Sequence, residues 1–362
     1  MISLKDKVSG SMVFFLITAS QVGVGVLGFQ SAINKYAEQD AWMSLIVAGG
    51  AISVIIWFMY GMLSNNAEGD IAAIHEFTYG KWIGAFFTIL FSAYLLLMAL
   101  VVLRTYIEII QVWMFPHVKV WALLLLIIPL IYYTTADKFR AVVGVCFLGV
   151  VYPLFLILSF LFPLRYARLT NILPVMDHSF MEIMQSSSIA ILEFMGLAAL
   201  MVFYPFIREA RHSQKFAHFG NLSTTALYLL ICVISYLYYN QSEMENLIWG
   251  TLNLWKIIEL PFMDRFEYFG IATLFFSILP NVALFVWASA RSLNRVFGLA
   301  QAKMTGILLF ILFITCLVSG GRQGINFLND IAGTIGLWFL FAYIPVLFFI
   351  NFIRRKVQKD GS

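Results

Sequence analysis

Charge is what this sequence has least of. Only 12% of its 362 residues are Asp, Glu, Lys or Arg, against roughly 25% in soluble domains, too few to cover a water-facing surface. Its three cysteines, Cys146, Cys232 and Cys316, all fall inside apolar runs. They offer neither a disulfide framework nor a metal site, and each is read as a small hydrophobe. Five histidines, at positions 75, 117, 178, 212 and 218, avoid the centres of those runs, and no His–Glu zinc motif or nucleophile–base pairing accompanies them. No enzyme, metal or cofactor is therefore expected. The net charge of +4 resides in loops and implies no nucleic-acid partner. No cleavable signal is expected either, because Lys5, Asp6 and Lys7 precede an apolar run too long for one.

What is there is apolar: 61% of residues are hydrophobic, with 35 Phe, 16 Tyr and 9 Trp suited to lipid-facing and interfacial positions. Long uncharged runs recur from end to end, so the expected class is an all-α integral membrane protein, one transmembrane domain over 1–362. Ten spans are read: 12–33, 42–63, 83–114, 120–136, 141–163, 183–207, 219–239, 268–296, 304–319 and 335–352. With the N-terminus inside, most Lys and Arg fall on the cytoplasmic side, from Lys5 and Lys7 to Arg354, Arg355, Lys356 and Lys359. Both termini are then cytoplasmic.

The third and eighth spans are the longest and the fourth and ninth the shortest. This repetition divides the chain into 12–163 and 183–352, two halves of five. An odd number of spans per half turns the halves in opposite senses, which makes a five-plus-five inverted repeat. Such a repeat predicts a binding site where the first helix of each half is interrupted.

The first span carries Ser20-Gln21-Val22-Gly23-Val24-Gly25-Val26-Leu27-Gly28-Phe29-Gln30. Glycine eases departure from the helix and lets a ligand approach the backbone. Loose backbone survives in a bilayer only where protein or a water-filled cavity satisfies it. Two readings stand: a broken helix holding a small polar ligand, or close helix packing through small residues. The sixth span answers with Ile191-Leu192-Glu193-Phe194-Met195-Gly196-Leu197-Ala198-Ala199, a mid-span carboxylate followed by glycine. Broken first and sixth helices are therefore expected.

Candidate ligand-binding residues follow. Gln21, Gly23 and Gly25 flank or form the break, with N–H groups open to a carboxylate. Glu193 is ionisable at mid-span, so it needs a cavity or a partner. A ligand ammonium, a cation or a structural hydrogen bond would each serve. Phe194, Met195 and Gly196 follow it as pocket lining. Tyr94 and Met98 lie one turn apart in the third span. Ser277 and Asn281 share a face of the eighth around Pro280, as pocket groups or as interhelical glue. Arg104 and Glu108, four apart, read as a structural ion pair.

Two loops carry patterns of their own. Ser64–Lys81, with Asn65, Asn66, Glu68, Asp70, His75 and Glu76, spaces Ile71, Ile74 and Phe77 as an interfacial helix ending at Gly80. Segment 240–267, with Leu247, Ile248, Trp249, Leu252, Leu254 and Trp255, reads as a helix lying over an outer vestibule, with or without a gating role.

The whole chain resembles the B-subunit family of spore germinant receptors (GerAB-like), within the amino acid–polyamine–organocation transporter superfamily of LeuT fold. The resemblance is carried by length, ten spans, Gln21-Val22-Gly23-Val24-Gly25-Val26-Leu27 and Glu76-Phe77-Thr78-Tyr79-Gly80-Lys81-Trp82-Ile83-Gly84. It implies the inner membrane of a spore, a germinant such as an amino acid, and A- and C-type partner subunits. It also implies that a tyrosine of the third helix, here Tyr94, bonds the ligand, the alternative being a buried Tyr that bonds a backbone carbonyl. Proton-coupled members of the superfamily often carry a lysine within the fifth span. This chain has only Lys138 and Arg140 at its cytoplasmic start, which sets a receptor subunit ahead of the alternative, a secondary transporter of amino acids or amines.

Overall fold

Apolar runs of about twenty residues have one stable form in hydrocarbon, the helix, because its backbone groups satisfy one another. The computed structural model describes residues 6–66, 69–136, 138–261 and 263–360, and its regular elements there are helices. Lys5 and Glu68 lie outside the described residues, as does the side chain of Lys359.

The chain opens with α1 (Met12–Gln21), a 3-10 turn (Val24–Leu27) and α2 (Phe29–Ala37). There follow α3 (Trp42–Leu63), α4 (Ile71–Tyr79), α5 (Lys81–Ile109), α6 (Val120–Thr135), α7 (Phe139–Val151) and α8 (Leu156–Ser159). Next come α9 (Phe180–Ala190), a 3-10 segment (Ile191–Ala199), α10 (Leu200–Phe203), α11 (Gln214–Tyr238), α12 (Gln241–Asn246) and α13 (Gly250–Lys256). The chain closes with α14 (Phe266–Phe297), α15 (Gln301–Val318), α16 (Gly321–Trp338) and α17 (Ile344–Asp360).

Among the described residues, 8 helical stretches are long and apolar enough to cross a membrane, and α1 and α6 are shorter apolar helices. Lys81–Met114 has 34 residues and α14 has 32. At 1.5 Å per residue each is about 50 Å long, which requires tilt or overhang. By contrast α6 has 16 residues and α15 has 18. The final stretch, Gly321–Val357, runs 37 residues, beginning well before the expected position 335. Arg322, Gln323, Asn326, Asn329 and Asp330 hide its first turns from a hydropathy reading.

The long helices α5 and α14 pack along each other, and α1 lies among α7, α11, α14 and the 191–199 segment. Both chain ends meet at one end of the bundle, here the terminal end. There the Val8 N–H donates to Phe206 O at 2.9 Å and the Arg208 N–H to Val8 O at 2.8 Å, while Arg355 reaches the Asn65 carbonyl. Helices α12 and α13 occupy the opposite, lid end.

Two local expectations met different partners. Helix α4 starts on an Asp70 cap, whose side chain accepts from the Ala73 N–H at 2.9 Å, and ends at Gly80, whose φ of 82° suits a residue without Cβ. Its buried face is Ile71, Ile74, His75 and Thr78 rather than Phe77; Phe77 instead lies beneath Arg354 and Arg355. Arg104 and Glu108 do not pair. The Arg104 Nε caps the end of α15 by donating to Ser319 O at 2.9 Å, and Glu108 pairs with Arg322 at 3.1 Å.

Candidate ligand cavity at the helix breaks

Helix α1 stops at Gln21 because the next residues leave helical geometry: Val22 has ψ 100° and Gly23 has φ −125°, ψ −152°. A single 3-10 turn follows before α2 resumes at Phe29. Carbonyls freed by such a break need donors in hydrocarbon, and three other helices supply them. Asn281 of α14 gives its Nδ2 to Ala19 O and Ser20 O at 3.0 and 2.9 Å. The Tyr228 hydroxyl of α11 reaches Gln21 O at 3.4 Å, and Thr251 of α13 donates to Val26 O at 2.8 Å. The break is thus a tertiary construction held from several sides.

Its counterpart is the nine-residue 3-10 segment 191–199, long for that geometry, which rarely exceeds four residues. A Cβ on Gly196 would lie 1.7 Å from Ser20 O, so only glycine lets the two interrupted helices touch there. One turn away, a Cβ on Gly25 would lie 1.8 Å from Glu193 Oε2. The Glu193 carboxylate is therefore seated directly against the break, and it accepts a hydrogen bond from Tyr228 at 3.0 Å.

Beside this contact lies a cavity of about 300 Å³. Its walls include Gln21, Gly23, Gly25, Met98, Glu193, Met195, Gly196 and Asn281, eight residues singled out from sequence. Three others stand outside the wall. Tyr94 is buried against Phe339, ring centroids 5.4 Å apart, and its hydroxyl has no hydrogen-bond partner among the described residues. Phe194 packs on Tyr228 at 5.9 Å, and Ser277 ties α14 to α7 by donating to Gly149 O at 3.0 Å.

Polarity divides the cavity. Beside the break, Glu193 is joined on the wall by Gln21 and Asn281, whose side-chain oxygens Oε1 and Oδ1 have no hydrogen-bond partner among the described residues. That group of acceptors suits a cation or ammonium. Met98, Val101, Val102, Leu192, Met195 and Phe285 make an apolar middle. At the lid end Ile248 and Trp249 line it, with the Arg322 guanidinium 5.2 Å from the Trp249 ring centroid and paired to Glu108.

Tyr228 and Arg322 were not singled out from sequence, and Trp249 only as part of the 240–267 segment expected over an outer vestibule. A signal for Tyr228 was present, since Asn221, Thr225, Tyr228 and Ser235 form a polar stripe at helical spacing on an otherwise apolar span. Nothing local marks Arg322, whose partners come from α5 and the segment before α13.

Comparison with known proteins agrees with this geometry. Residues 7–325 match the family described as spore germination protein. The chain is 38% identical over 358 residues to spore germination protein GerQB of Bacillus cereus, covering 99% of each. It is 22% identical over 355 residues to spore germination protein A2 of Bacillus subtilis (strain 168), covering 94% of each. Among solved structures it resembles a Na+-coupled sialic acid symporter in a substrate-bound outward-open state, with TM-score 0.68 and 12% identity, covering 96% of this chain and 79% of that one. It also resembles MhsT in complex with L-phenylalanine, with TM-score 0.58 and 13% identity, covering 95% and 98%. At such identities the structural likeness establishes the fold alone, that of the LeuT-type transporters.

Proposed function

The chain belongs to the spore germination protein family, and on that premise we propose that it is the multi-pass subunit of a germinant receptor that binds a small amino acid or amine. One observation carries this reading: a cavity at two interrupted helices is walled beside the break by Glu193, Gln21 and Asn281, acceptors that have no cationic partner among the described residues. Buried acceptors of this kind favour a ligand that brings donors and positive charge. Gln21, Gly23, Gly25, Met98, Glu193, Met195, Gly196 and Asn281 would contact the ligand, with Tyr94, Phe194 and Ser277 supporting them from behind.

The frame of this reading is ten transmembrane helices in a five-plus-five inverted repeat. The Lys- and Arg-rich terminal end is cytoplasmic, in the inner membrane of the spore, and A- and C-type subunits receive the signal. No catalytic step is part of it. A ligand that prefers one of two conformations shifts the population towards it, and sensing needs nothing more.

The second reading, a secondary transporter, is favoured by the fold itself, since the solved neighbours are a Na+-coupled symporter and a protein holding L-phenylalanine. The experiment that tests binding is thermal unfolding of the purified protein against a panel of amino acids and amines. A ligand at 100 times its Kd adds about 2.7 kcal/mol. A folded protein stabilised by no member of the panel would overturn the reading.

A further inference from the structure

A second hollow, sharing no wall residue with the cavity, opens at the terminal end among the last turns of α3, the start of α11 and α17. It is a groove of about 500 Å³. Its lip is aromatic: Trp57, Phe348 and Phe352 line it, and Trp57 and Phe352 are 56% and 61% exposed. That lip continues into the exposed apolar flank of α3 and α17 at Val54, Phe349 and Ile353, the kind of surface a bilayer covers.

The rim is basic. Arg211 enters from the segment before α11 and Arg355 from α17, and among the described residues no Asp or Glu lines the groove. Arg355 is fixed by neutral acceptors: its Nε donates to Asn351 Oδ1 at 2.9 Å, and its other nitrogens to the Asn65 carbonyl and Asn66 Oδ1. Its direction is set, and among the described residues no carboxylate pairs with it. Arg211 is exposed beside it.

Two guanidinium groups on one rim repel each other, and a phosphate between them removes the repulsion and accepts bidentate hydrogen bonds. Basic pockets between helices at a membrane surface are suited to anionic headgroups. A ligand entering from the apolar flank must also carry hydrocarbon. We propose that this groove seats an anionic phospholipid, its phosphate on Arg211 and Arg355 and an acyl chain along Trp57, Phe348 and Phe352. The site is independent of the germinant cavity and stands whether the protein senses or transports.

The test uses the full chain in phosphatidylcholine nanodiscs titrated with phosphatidylglycerol, read by thermal unfolding and by crosslinking with a photoreactive phosphatidylglycerol. Phosphatidylglycerol should raise the unfolding midpoint above the phosphatidylcholine baseline, and the crosslinks should map to Trp57 or to Phe348–Phe352. Arg211→Gln should weaken the apparent lipid affinity about fivefold with an unchanged midpoint in pure phosphatidylcholine. Equal stabilisation by both lipids, or by inorganic phosphate alone, would overturn the proposal. Crosslinks confined to other surfaces would do the same and leave the groove to a polypeptide partner. Should Arg211→Gln fail to fold, the wild-type crosslinking map decides alone.

Discussion

At Gly25 a single methyl group would displace the carboxylate of Glu193, because the two already lie at van der Waals contact. Gly25→Leu should therefore abolish ligand-dependent thermal stabilisation while membrane insertion persists, since leucine inserts at least as well as glycine. Normal ligand response in a well-expressed Gly25→Leu protein would remove the cavity assignment. Glu193→Gln asks a narrower question. The amide oxygen can still accept from Tyr228, so shape and this hydrogen bond survive while the negative charge is lost. If Glu193 pairs with a ligand ammonium, affinity should fall by about 30-fold to several thousand-fold, the loss expected for truncating a buried charged pair. An analogue lacking the amino group should bind wild type and Glu193→Gln alike. If Glu193→Gln weakened both ligands equally, Glu193 would be a structural carboxyl.

At the scale of elements, Asp40, which follows α2 and precedes α3, ties that corner to the 174–179 turn ahead of α9. Its side chain is 0% exposed and accepts from the Met176 N–H at 2.8 Å, the Asp177 N–H at 2.8 Å and the His178 N–H at 3.1 Å. The His178 ring lies 3.1 Å away on the same carboxylate. Burial alone would raise the carboxyl pKa, but the bonds from Met176, His178 and Asp177 outweigh it and hold the group below its ordinary range. A depressed carboxyl contributes stability that is present above the unfolded pKa of about 3.9 and is lost as pH falls through the folded value. Asp40→Asn should thus destabilise the protein at neutral pH by about 1.5–3 kcal/mol. The gap between variant and wild-type unfolding midpoints should close below pH ~4. A gap that stayed constant from neutral to acid pH would show that the charge of Asp40 is not what holds the 174–179 turn.

For the whole molecule the open choice is between sensing and moving a ligand. Both activities use one cavity, and transport against a gradient requires a coupling ion in addition. Lys138 and Arg140 lie at the very start of the span that begins at Phe139, and no lysine follows within α7. Reconstituted alone into vesicles with an imposed proton or sodium gradient, the protein should bind its ligand without accumulating it. Uptake above the equilibrium level would establish a transporter.

Much of this was written in local pattern. Hydropathy alone marks the helical membrane class, and the glycines at 23, 25 and 28 with Glu193 and Gly196 mark where two helices part from regular geometry. Both are properties of neighbouring residues, because a bilayer tests each segment's polarity and each backbone's hydrogen bonding on the spot. Which groups repair the break is another matter. Ser20 meets Asn281 across 261 positions, Gln30 meets Thr251 across 221 and Glu108 meets Arg322 across 214. Arg104 and Glu108 suit each other by spacing, yet each found a better partner on a helix that only packing brings near. Tyr94 is expected at the ligand from its place in the third span, yet Met98, one turn on, lines the cavity while Tyr94 packs against Phe339 outside its wall. Local polarity decides that a helix breaks; the long-range fit of α11, α13 and α14 decides what the break can hold.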